Sequence, residues 1–388
     1  MRNISLFCCF LCSTIVIGQV QYGTNNYIEY HPGNLPIVIS VAHGGYLEPS
    51  SIPDRTCSNP TLVMDAFTIE LAKQIDTSLF LLTGCHPHII YCNLKRTKLD
   101  CNRNLNDGAC ANADAETAWQ EFHQFIEMAQ ATALADHGER IFYVDLHGHG
   151  NPIQRLELGY LLYEDELELS DNTLNSANYI SYSSIQHMVS TNANGYSHTE
   201  LLRGEKALGT LFTDNGFPAV PSMQDPFPGL TNNYFSGGYN TVTHTSYTPG
   251  NVVDGLQMEC NYSGVRNNYL NRKAFGDVFA NVFAEYLNVH FNSVLTTNCG
   301  ILEINETAEV ELISVVPSIS DGSITLVLTN VEDGAVFSIY NLSGLGILSG
   351  KLSKDGKLTL PQSIPAGYYI VSVQNENISK QIRFCITK

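Results

Sequence analysis

The stretch "IVISVAHGGY", residues 37–46, does most to decide the fold. Its first five residues form a short, almost wholly apolar run, which is typical of a strand buried on both faces. A second such run, "IFYV" at residues 141–144, precedes "DLHGHG". Helical periodicity over 65–75 and 115–137 predicts helices between such strands. This alternation favours an α/β domain with a mixed, mostly parallel sheet and helices on both faces.

Length and charge bound the classes of protein to be considered. The chain has 388 residues, of which 44% are hydrophobic and 15% are charged. At about 150 residues per domain this length accommodates two or three domains, and the apolar fraction is enough for a buried core. Thirty-eight acidic residues against twenty basic ones give a net charge of −18. Because such a chain repels phosphate backbones, we expect no nucleic-acid partner.

Residues 1–18 have the pattern of a secretory signal peptide. Arg2 precedes an apolar run at residues 4–12, and the small residue Gly18 follows. We expect cleavage before Gln19 and a protein that is secreted or held at the cell surface. The apolar run is too short for a membrane span, and no other segment approaches about 18 consecutive apolar residues, so we expect no transmembrane span.

The cysteines agree with export. Of the eleven cysteines, three lie within residues 1–18 and eight remain. An even number of cysteines in an oxidising compartment predicts disulfides. The dense cluster from Cys85 to Cys110 favours local bridges. No C-x-x-C pair occurs among these eight, so a cysteine zinc site or a redox motif has little support.

Composition divides the remaining chain into two predicted domains. Residues 25–297 form the α/β domain, in which the Gly-, Pro- and Asn-rich segment 215–250 has no periodic pattern and indicates a functional loop. Residues 298–309 are the predicted linker. Over residues 310–388, short β-like runs alternate with Asp-Gly and Ser-Gly turn signals, which predicts a small β-sandwich.

The last 80 or so residues resemble a known export module. The pieces "FSIYNLSGLGILSGKL", "LPQSIPAGYYIVSV" and "SKQIRFCITK" are similar to the C-terminal sorting domain of proteins exported by the type IX secretion system of Bacteroidota. The resemblance implies that this domain engages the secretion machinery. Since small β-sandwiches host many functions, a general binding module is the alternative.

Two histidines follow the predicted buried strands, and each is succeeded by glycine. His43 lies in "VAHGG" and His147 in "VDLHGHG". Because strand carboxyl ends are where open α/β sheets bind ligands, we expect both imidazoles to face one crevice. Neutral imidazole is the commonest zinc ligand, and a catalytic zinc site needs three protein ligands with one open position. We therefore expect one Zn²⁺ ion here, held by both histidines and a carboxylate.

Asp65 is the first candidate for that carboxylate. It is predicted to begin the helix "MDAFTIELAKQI", where a carboxylate also interacts well with the helix dipole. On the residues alone, an ordinary helix-capping role is equally consistent. Asp54 and Glu48, in the preceding loop, are competing candidates for the third ligand.

The stretch "NLKRTKLDCNRNLN" concentrates two arginines, Arg96 and Arg103, around Asp100 and Asn102. Arginine binds carboxylates through paired hydrogen bonds and stays charged, so such a pair suits an anionic substrate and a developing oxyanion. A pair of solvated surface arginines is the alternative.

The stretch "DGLQMECNYSGVR" alternates apolar and polar residues as a half-buried strand does, which puts Gln257, Glu259 and Asn261 on one face. A glutamate that points into a metal crevice can take a proton from water. Otherwise Glu259 is a solvent-facing charge on an edge strand.

In this order along the chain, these features resemble the N-formylglutamate amidohydrolase family, which is related in fold to zinc carboxypeptidases and aspartoacylases. The likeness spans about residues 37–286. It implies zinc ligation by His43, Asp65 and His147, a base role for Glu259, polarisation of the carbonyl by Arg96, and binding of the substrate carboxylate by Asn102 and Arg103. The segment "DPFPGLTNNYFSGGYNTVTH" is similar to the family's Gly-Gly-Tyr loop, which implies that Tyr239 and His244 bind substrate near the pocket.

The loop after the second histidine is longer than the family pattern. The stretch "IPDRT", together with "VDLHGHGNPIQRLELGY", resembles a branch with such an extension. There, His149 is a candidate to substitute in the metal shell or to carry protons, and Arg155 is a candidate to change substrate preference.

The resemblance implies a secreted, zinc-dependent hydrolase that cleaves an amide bond near a carboxylate, with a small-molecule or peptide substrate. One alternative is a carboxypeptidase-like enzyme that acts on peptides or cell-wall fragments. Another is a surface adhesin that keeps the fold without catalysis.

Overall fold

A computed structural model describes residues 19–57, 60–293 and 295, and the strands and short flanking stretches between 315 and 386. The chain divides into two compact units, residues 1–301 and 302–388. The predicted signal peptide, 1–18, and the predicted linker, 298–309, lie outside the described residues.

The first unit is built on an eight-stranded sheet. Its strands are β1 (Gln21–Tyr22), β2 (Ile28–His31), β3 (Ile37–Val41), β4 (His88–Cys92), β5 (Phe142–His149), β6 (Leu156–Gly159), β7 (Ala219–Val220) and β8 (Asp254–Asn261). Their order across the sheet is β1-β2-β4-β3-β5-β8-β6-β7. The four central strands, β4-β3-β5-β8, run parallel, whereas β2 pairs with β4 and β6 pairs with β8 in the antiparallel sense. The predicted mixed, mostly parallel sheet is confirmed.

Eleven α-helices connect the strands in the described part of this unit. They are α1 (Thr68–Thr83), α2 (Leu105–Ala109), α3 (Ala113–His137), α4 (Glu164–Leu167), α5 (Asp171–Leu174), α6 (Ala177–Ile180), α7 (Gln186–Thr191), α8 (His198–Arg203), α9 (Leu208–Asp214), α10 (Tyr239–His244) and α11 (Tyr269–Phe291). A 3₁₀ turn, Thr24–Asn26, and an irregular helical turn, Tyr262–Arg266, complete the unit.

Helices cover both faces of the sheet because alternate residues of its strands enter two different cores. In β3, Ile37 and Ile39 join the core beneath α1 and α11, whereas Val38 joins the core beneath α3. Each face of a fully buried parallel strand needs an apolar cover, which is why four of the five residues of β3 are apolar. The near-continuous apolar run in the sequence therefore predicts this layer arrangement correctly.

Several element boundaries differ from the sequence-based expectation. Helix α1 begins at Thr68, three residues after Asp65, and Phe67 precedes it in the left-handed region at φ 67°. Strand β5 continues through His147 to His149, so this histidine lies within the strand. β8 is buried along its whole length rather than half-buried, because β5 and β6 flank it. The segment 215–250 is mostly irregular but contains β7 and α10.

The second unit contains two antiparallel sheets. Its strands are β9 (Val315–Ser320), β10 (Ser323–Leu328), β11 (Val336–Asn341), β12 (Gly346–Lys351), β13 (Lys357–Leu360), β14 (Gly367–Gln374) and β15 (Ser379–Ile386). The sheet orders are β13-β10-β9 and β12-β11-β14-β15. Leu358 and Leu360 of the first sheet share one apolar core with Ile339 and Val371 of the second. This arrangement agrees with the predicted small β-sandwich.

Disulfides were expected among the clustered cysteines from Cys85 to Cys110, and the structure shows a different arrangement. Cys110 is bonded to Cys57, 53 residues earlier, while Cys92 and Cys101 are buried free thiols. Both thiols lie in the apolar core beneath α3, where they pack as small hydrophobic side chains. In the described part of the chain, no helix has the length and apolar character needed to cross a membrane.

Candidate metal centre

The carboxyl ends of the four parallel strands meet at one edge of the sheet. His43 lies two residues beyond β3, and His147 lies near the end of β5. Glu259 of β8 is the register partner of His147. The segment that contains Arg96 follows β4. Residues from separate parts of the sequence thus come together as expected for the ligand-binding edge of an open sheet.

His43, Asp65 and His147 form a buried group in which one ligand atom from each residue lies within 4.8 Å of the others. Asp65 Oδ2 lies 3.4 Å from His43 Nδ1 and 3.0 Å from His147 Nδ1. The backbone N–H of Gly148 donates to the same oxygen at 3.2 Å, which orients the carboxylate. Two imidazole nitrogens and a carboxylate oxygen at this spacing are a group that could hold a metal ion.

The second nitrogen of each imidazole contacts a further buried carboxylate. His43 Nε2 lies 2.6 Å from Asp100 Oδ1, and His147 Nε2 lies 2.8 Å from Asp145 Oδ2. Donation of Nε2–H to these oxygens leaves the Nδ1 lone pairs directed toward Asp65, and we assign the tautomers on that basis. A carboxylate behind each ligating histidine is the usual outer shell of a metal site, since it orients the ring and raises its basicity.

The electrostatics of the group favour positive charge. Burial acts to raise the pKa of Asp65, but His43 and His147 outweigh it and hold that pKa below its ordinary value. Burial likewise opposes protonation of His147, yet Asp145 and Asp65 raise its pKa well above the ordinary value. A concentration of carboxylates that stabilises a proton on the buried imidazole of His147 also suits a cation.

Asp100 is in turn surrounded by arginines. Its Oδ2 lies 3.1 Å from Arg96 Nε, 3.4 Å from Arg55 Nη2 and 3.5 Å from Arg103 Nε. Burial acts to raise the pKa of Asp100, but His43 and the arginines hold it well below its ordinary value. This carboxylate therefore stays ionised and fixes His43 from behind.

A cavity of about 570 Å³ opens onto the group. Every predicted metal ligand and both predicted catalytic residues line it, as do Asn102 and Arg103. Further lining residues are Thr61, Val63, Met64, Ala66, Gly148, His149, Gly150, Phe235, Gly237, Gly238, Gln257, Tyr262 and Arg266. The structure thus brings seven of the nine predicted site residues to one cavity.

Glu259 lies in this cavity as a buried carboxyl group. Gln257 Nε2 donates to its Oε1 at 2.9 Å. Burial raises the pKa of Glu259 to about 8, against the opposing effect of His147. The solvent-facing edge position, the alternative for this residue, is excluded because β8 is an interior strand of the sheet.

Asn102 is at the cavity, but its amide is engaged by the protein. Its Nδ2 donates to Gln257 Oε1 at 3.2 Å, and its Oδ1 accepts from the Asn240 N–H at 2.9 Å. A Cβ at Gly238 would lie 2.4 Å from this amide, so the glycine permits the close approach. Asn102 therefore joins the loop before α10 to β8.

Tyr239 and His244 are not among the cavity-lining residues, contrary to the expectation from the resemblance. Helix α10 turns both side chains toward α3. His244 Nε2 lies 2.7 Å from His123 Nδ1, and Tyr239 packs against Trp119. The loop instead contributes Phe235, Gly237 and Gly238 to the cavity.

The competing metal-ligand candidates are engaged elsewhere. Asp54 pairs with Lys98 at 2.9 Å, and Glu48 pairs with Lys95. Both ring nitrogens of His149 have partners outside the group, the carbonyl of Arg155 at 2.8 Å and the N–H of Asn151 at 3.1 Å. Among the three acidic candidates the geometry favours Asp65.

Two arginines at the site, Arg55 and Arg266, were not predicted as site residues. Arg55 is buried and donates to three backbone carbonyls, of Arg96, Asp107 and Thr61, in addition to contacting Asp100. A buried arginine is rare enough to be informative, but burial at these two positions depends on loops whose course the sequence pattern does not predict.

No family model matches this chain, and no curated protein matches it. The chemistry of the site therefore rests on its geometry. Two oriented imidazoles and a carboxylate beside a buried glutamate and arginines can hold a cation and transfer protons at one face of a bound molecule.

Proposed function

We propose that this protein is an exported, zinc-dependent hydrolase that cleaves an amide bond near a carboxylate, by chemistry like that of N-formylglutamate amidohydrolases. The observation that carries the proposal is the convergence of His43 Nδ1, His147 Nδ1 and Asp65 Oδ2 in front of a cavity. Asp100 and Asp145 contact the opposite ring nitrogens of the two histidines. This outer shell is typical of a metal site and is not expected for two histidines that are merely packed in a core.

The donor set fits zinc better than calcium or magnesium. Zinc takes imidazole and carboxylate ligands and in catalytic sites keeps three protein ligands, whereas calcium and magnesium prefer oxygen ligands. When bound, the ion supplies Lewis acidity, which polarises a carbonyl group and makes water more acidic.

Glu259 is the proposed base that moves the proton. It is the register partner of His147 across the β5–β8 pair, and its carboxyl group lines the same cavity. Gln257 donates to one carboxyl oxygen and so fixes the rotamer. The positive charge of a bound ion would favour the ionised form of Glu259, which could then take a proton from the attacking water and return it to the leaving amine.

Arg96 and Arg103 provide positive charge on the β4 side of the group. Arg96 is held by Asp100 and by the carbonyl of Val63 at 3.2 Å, which suits a rigid donor to a developing oxyanion. Arg103 is less constrained: 36% of its side chain is exposed, and its Nη2 makes a 3.4 Å contact with Thr61. It is the better group to bind the substrate carboxylate.

The test is the variant Glu259→Gln, which keeps size and hydrogen bonding but removes the base. We expect turnover of N-formylglutamate or an N-acyl amino acid to fall about 10²- to 10⁴-fold, while zinc content stays near one ion per chain. Metal analysis and initial rates on the same preparation give both quantities. Glu127→Gln, at an exposed position of α3, is a matched control that should leave both unchanged.

Full activity in Glu259→Gln would contradict the role of this residue. A wild-type protein that neither binds zinc at micromolar concentrations nor changes its melting temperature with zinc would favour the adhesin, since an ion bound only by the native state must stabilise it.

A second candidate, hydrolysis of peptides or cell-wall fragments, is favoured by the two-sided lining of the cavity. The sheet order β4-β3-β5-β8-β6 puts the histidines between two different surfaces. On one side lie the arginines that follow β4. On the other lie Tyr262, directly after β8, and Phe235, whose N–H donates to Glu157 of β6 at 3.1 Å; each is 41% exposed.

A formyl group has nothing to place on that apolar side, whereas the acyl portion of a peptide does. We therefore expect kcat/KM to be higher for N-acyl amino acids with a bulky apolar acyl group than for N-formylglutamate. We expect Tyr262→Ala to remove most of the difference by raising KM for the bulky substrate. Equal kcat/KM values for both substrates in the wild-type protein would favour a small substrate such as N-formylglutamate.

The second unit is proposed to act in export, through the secretion machinery. Its seven described strands in two sheets support a compact module, and the resemblance of its sequence to type IX sorting domains supports the role. Deletion of residues 310–388 in the native host should leave the protein unsecreted. Unchanged secretion would favour a general binding module.

A further inference from the structure

Arg266 is a buried arginine at the same edge of the sheet, and it does not contact the candidate ligands directly. It lies in the irregular turn after β8 and is 3% exposed. Its Nε donates to the carbonyl of Cys260 at 2.9 Å and its Nη2 to that of His149 at 2.9 Å, while Nη1 donates to the carbonyl of Ala66. Within the described residues the guanidinium forms no ion pair.

The three carbonyl groups belong to segments that each carry a residue of the site. In each segment the residue that supplies the carbonyl closely follows the site residue: Ala66 follows Asp65, Cys260 follows Glu259, and His149 lies two residues after His147. A planar guanidinium has five N–H donors in a fixed fork, so it joins these three segments in one geometry. A lysine ammonium, with its donors on one atom, does not reproduce that fork.

Gly148 leaves the space that the guanidinium occupies. A Cβ built on Gly148 would lie 2.2 Å from Arg266 Cζ and 2.4 Å from its Nε, closer than real Cβ contacts. The glycine of "LHGH" therefore lets β5 approach the arginine directly, between His147 and His149. This is a physical reason for glycine here that is separate from any turn.

We propose that Arg266 is a positioning residue that holds Asp65, His147 and Glu259 in register with one another, so that the metal-binding geometry exists before an ion binds. This proposal depends on one part of the proposed function, the binding of a divalent ion by His43, Asp65 and His147. It concerns the affinity of the site rather than a step of the reaction.

A positioning role and a purely electrostatic role predict opposite changes in metal affinity when Arg266 is removed. The charge of Arg266 interacts with Asp65 and Glu259. If charge were its only contribution, removal of a cation from beside a divalent-ion site would strengthen metal binding. If Arg266 positions the ligands, its removal weakens binding in spite of the lost repulsion. The measured sign separates the two roles.

The experiment measures the affinity of the full chain for Zn²⁺ and Co²⁺ by competition with a chelating indicator, together with the Co²⁺ absorption spectrum. For Arg266→Gln we expect affinity to fall about 10- to 100-fold, as for loss of other outer-shell support. We also expect a weaker and broader Co²⁺ band. Arg266→Lys keeps the charge and should recover little of the affinity.

Gly148→Ala tests the same inference with the arginine still present. The added methyl group displaces the guanidinium, so we expect a loss of metal affinity in the same direction as for Arg266→Gln. This variant keeps the arginine and the net charge of the chain, and movement of a cation away from the site would by itself strengthen metal binding rather than weaken it.

Arg203→Gln is the matched control for stability. Arg203 also donates to backbone carbonyls, of Leu167 at 2.6 Å and Leu169 at 3.1 Å, but it lies at the end of α8 and outside the cavity. We expect a lower melting temperature of the metal-free protein in this variant, with the metal affinity of the wild type.

Metal affinity in folded Arg266→Gln and Gly148→Ala equal to or tighter than that of the wild type overturns the inference and leaves the proposed function in place. An equal loss in Arg203→Gln also overturns it, because the effect would then follow general stability. A wild-type protein that binds neither ion overturns the proposed function and the inference together.

Discussion

Two pairs of buried histidines in the first unit have nearly the same spacing and opposite surroundings. The ring centroids of His43 and His147 are 4.8 Å apart, and those of His123 and His244 are 5.0 Å apart. In the first pair each Nε2 meets a carboxylate of its own. In the second pair the two rings bond to each other, Nδ1 to Nε2 at 2.7 Å.

The two pairs differ in whether carboxylates contact the rings. Close imidazoles alone therefore do not make a metal site. Burial, with the nearby His244 as a second cause, lowers the pKa of His123 to about 3, and burial lowers that of His244 to about 4. That pair is a neutral structural contact. Asp100 and Asp145 orient the rings of the other pair and favour positive charge between them, which a cation can satisfy.

Loss of a ligand should separate the pairs most strongly. We expect His147→Ala to weaken zinc binding by at least about 10³-fold, since two protein ligands remain of three. His244→Ala, an equally buried histidine truncated in the same way, should bind zinc as the wild type does while losing stability. Isothermal titration of both variants with zinc makes the comparison. Equal losses of affinity would mean that the pairs do not differ in function.

Removal of one outer carboxylate should have an intermediate effect. Asp145→Asn is nearly isosteric and keeps contacts to Ser40 and Asn240, but it removes the charge behind His147. We expect zinc affinity to fall about 10- to 100-fold. Competition with a chelating indicator measures the change. Unaltered affinity would show that the carboxylate is not what distinguishes this pair.

The smallest expected effect is a pH dependence of stability from the second pair. Histidines whose folded-state pKa is lowered bind fewer protons in the native than in the unfolded state, so stability is complete above about pH 6.5 and is lost as pH falls toward 4. Each contributes a slope that approaches about 1.4 kcal/mol per pH unit.

Urea unfolding of the metal-free protein between pH 4.5 and 7 measures that slope. His244→Gln should show a flatter decline than the wild type, and the difference isolates this pair from other buried histidines such as His88. Identical slopes in the two proteins would contradict the assignment of a neutral pair.

The features predictable from the sequence are those set by local pattern. Apolar runs predict β3 and β5, and an ionisable residue beside glycine at a strand end predicts His43 and His147 correctly as neighbours. The two histidines are expected to lie close together because parallel strands present their carboxyl ends at one edge of the sheet. Asp65 also reaches the group, although α1 begins later than its periodicity suggests.

The features that could not be predicted depend on how irregular segments cross the edge of the sheet. Arg55 and Arg266 lie outside the regular strands and long helices, and each binds three backbone carbonyls from separate parts of the chain; no spacing along the chain encodes those contacts. Tyr239 and His244 were expected at the cavity, but the short helix α10 rotates them toward α3. A motif places a segment near a site more reliably than it orients the side chains of that segment.

The most direct test of the account is a crystal structure of the protein grown with zinc, with anomalous data collected on both sides of the zinc absorption edge. The account predicts one zinc peak per chain, about 2.0–2.2 Å from His43 Nδ1, His147 Nδ1 and an oxygen of Asp65. A peak at the His123–His244 pair instead, or no peak between His43 and His147, would contradict it.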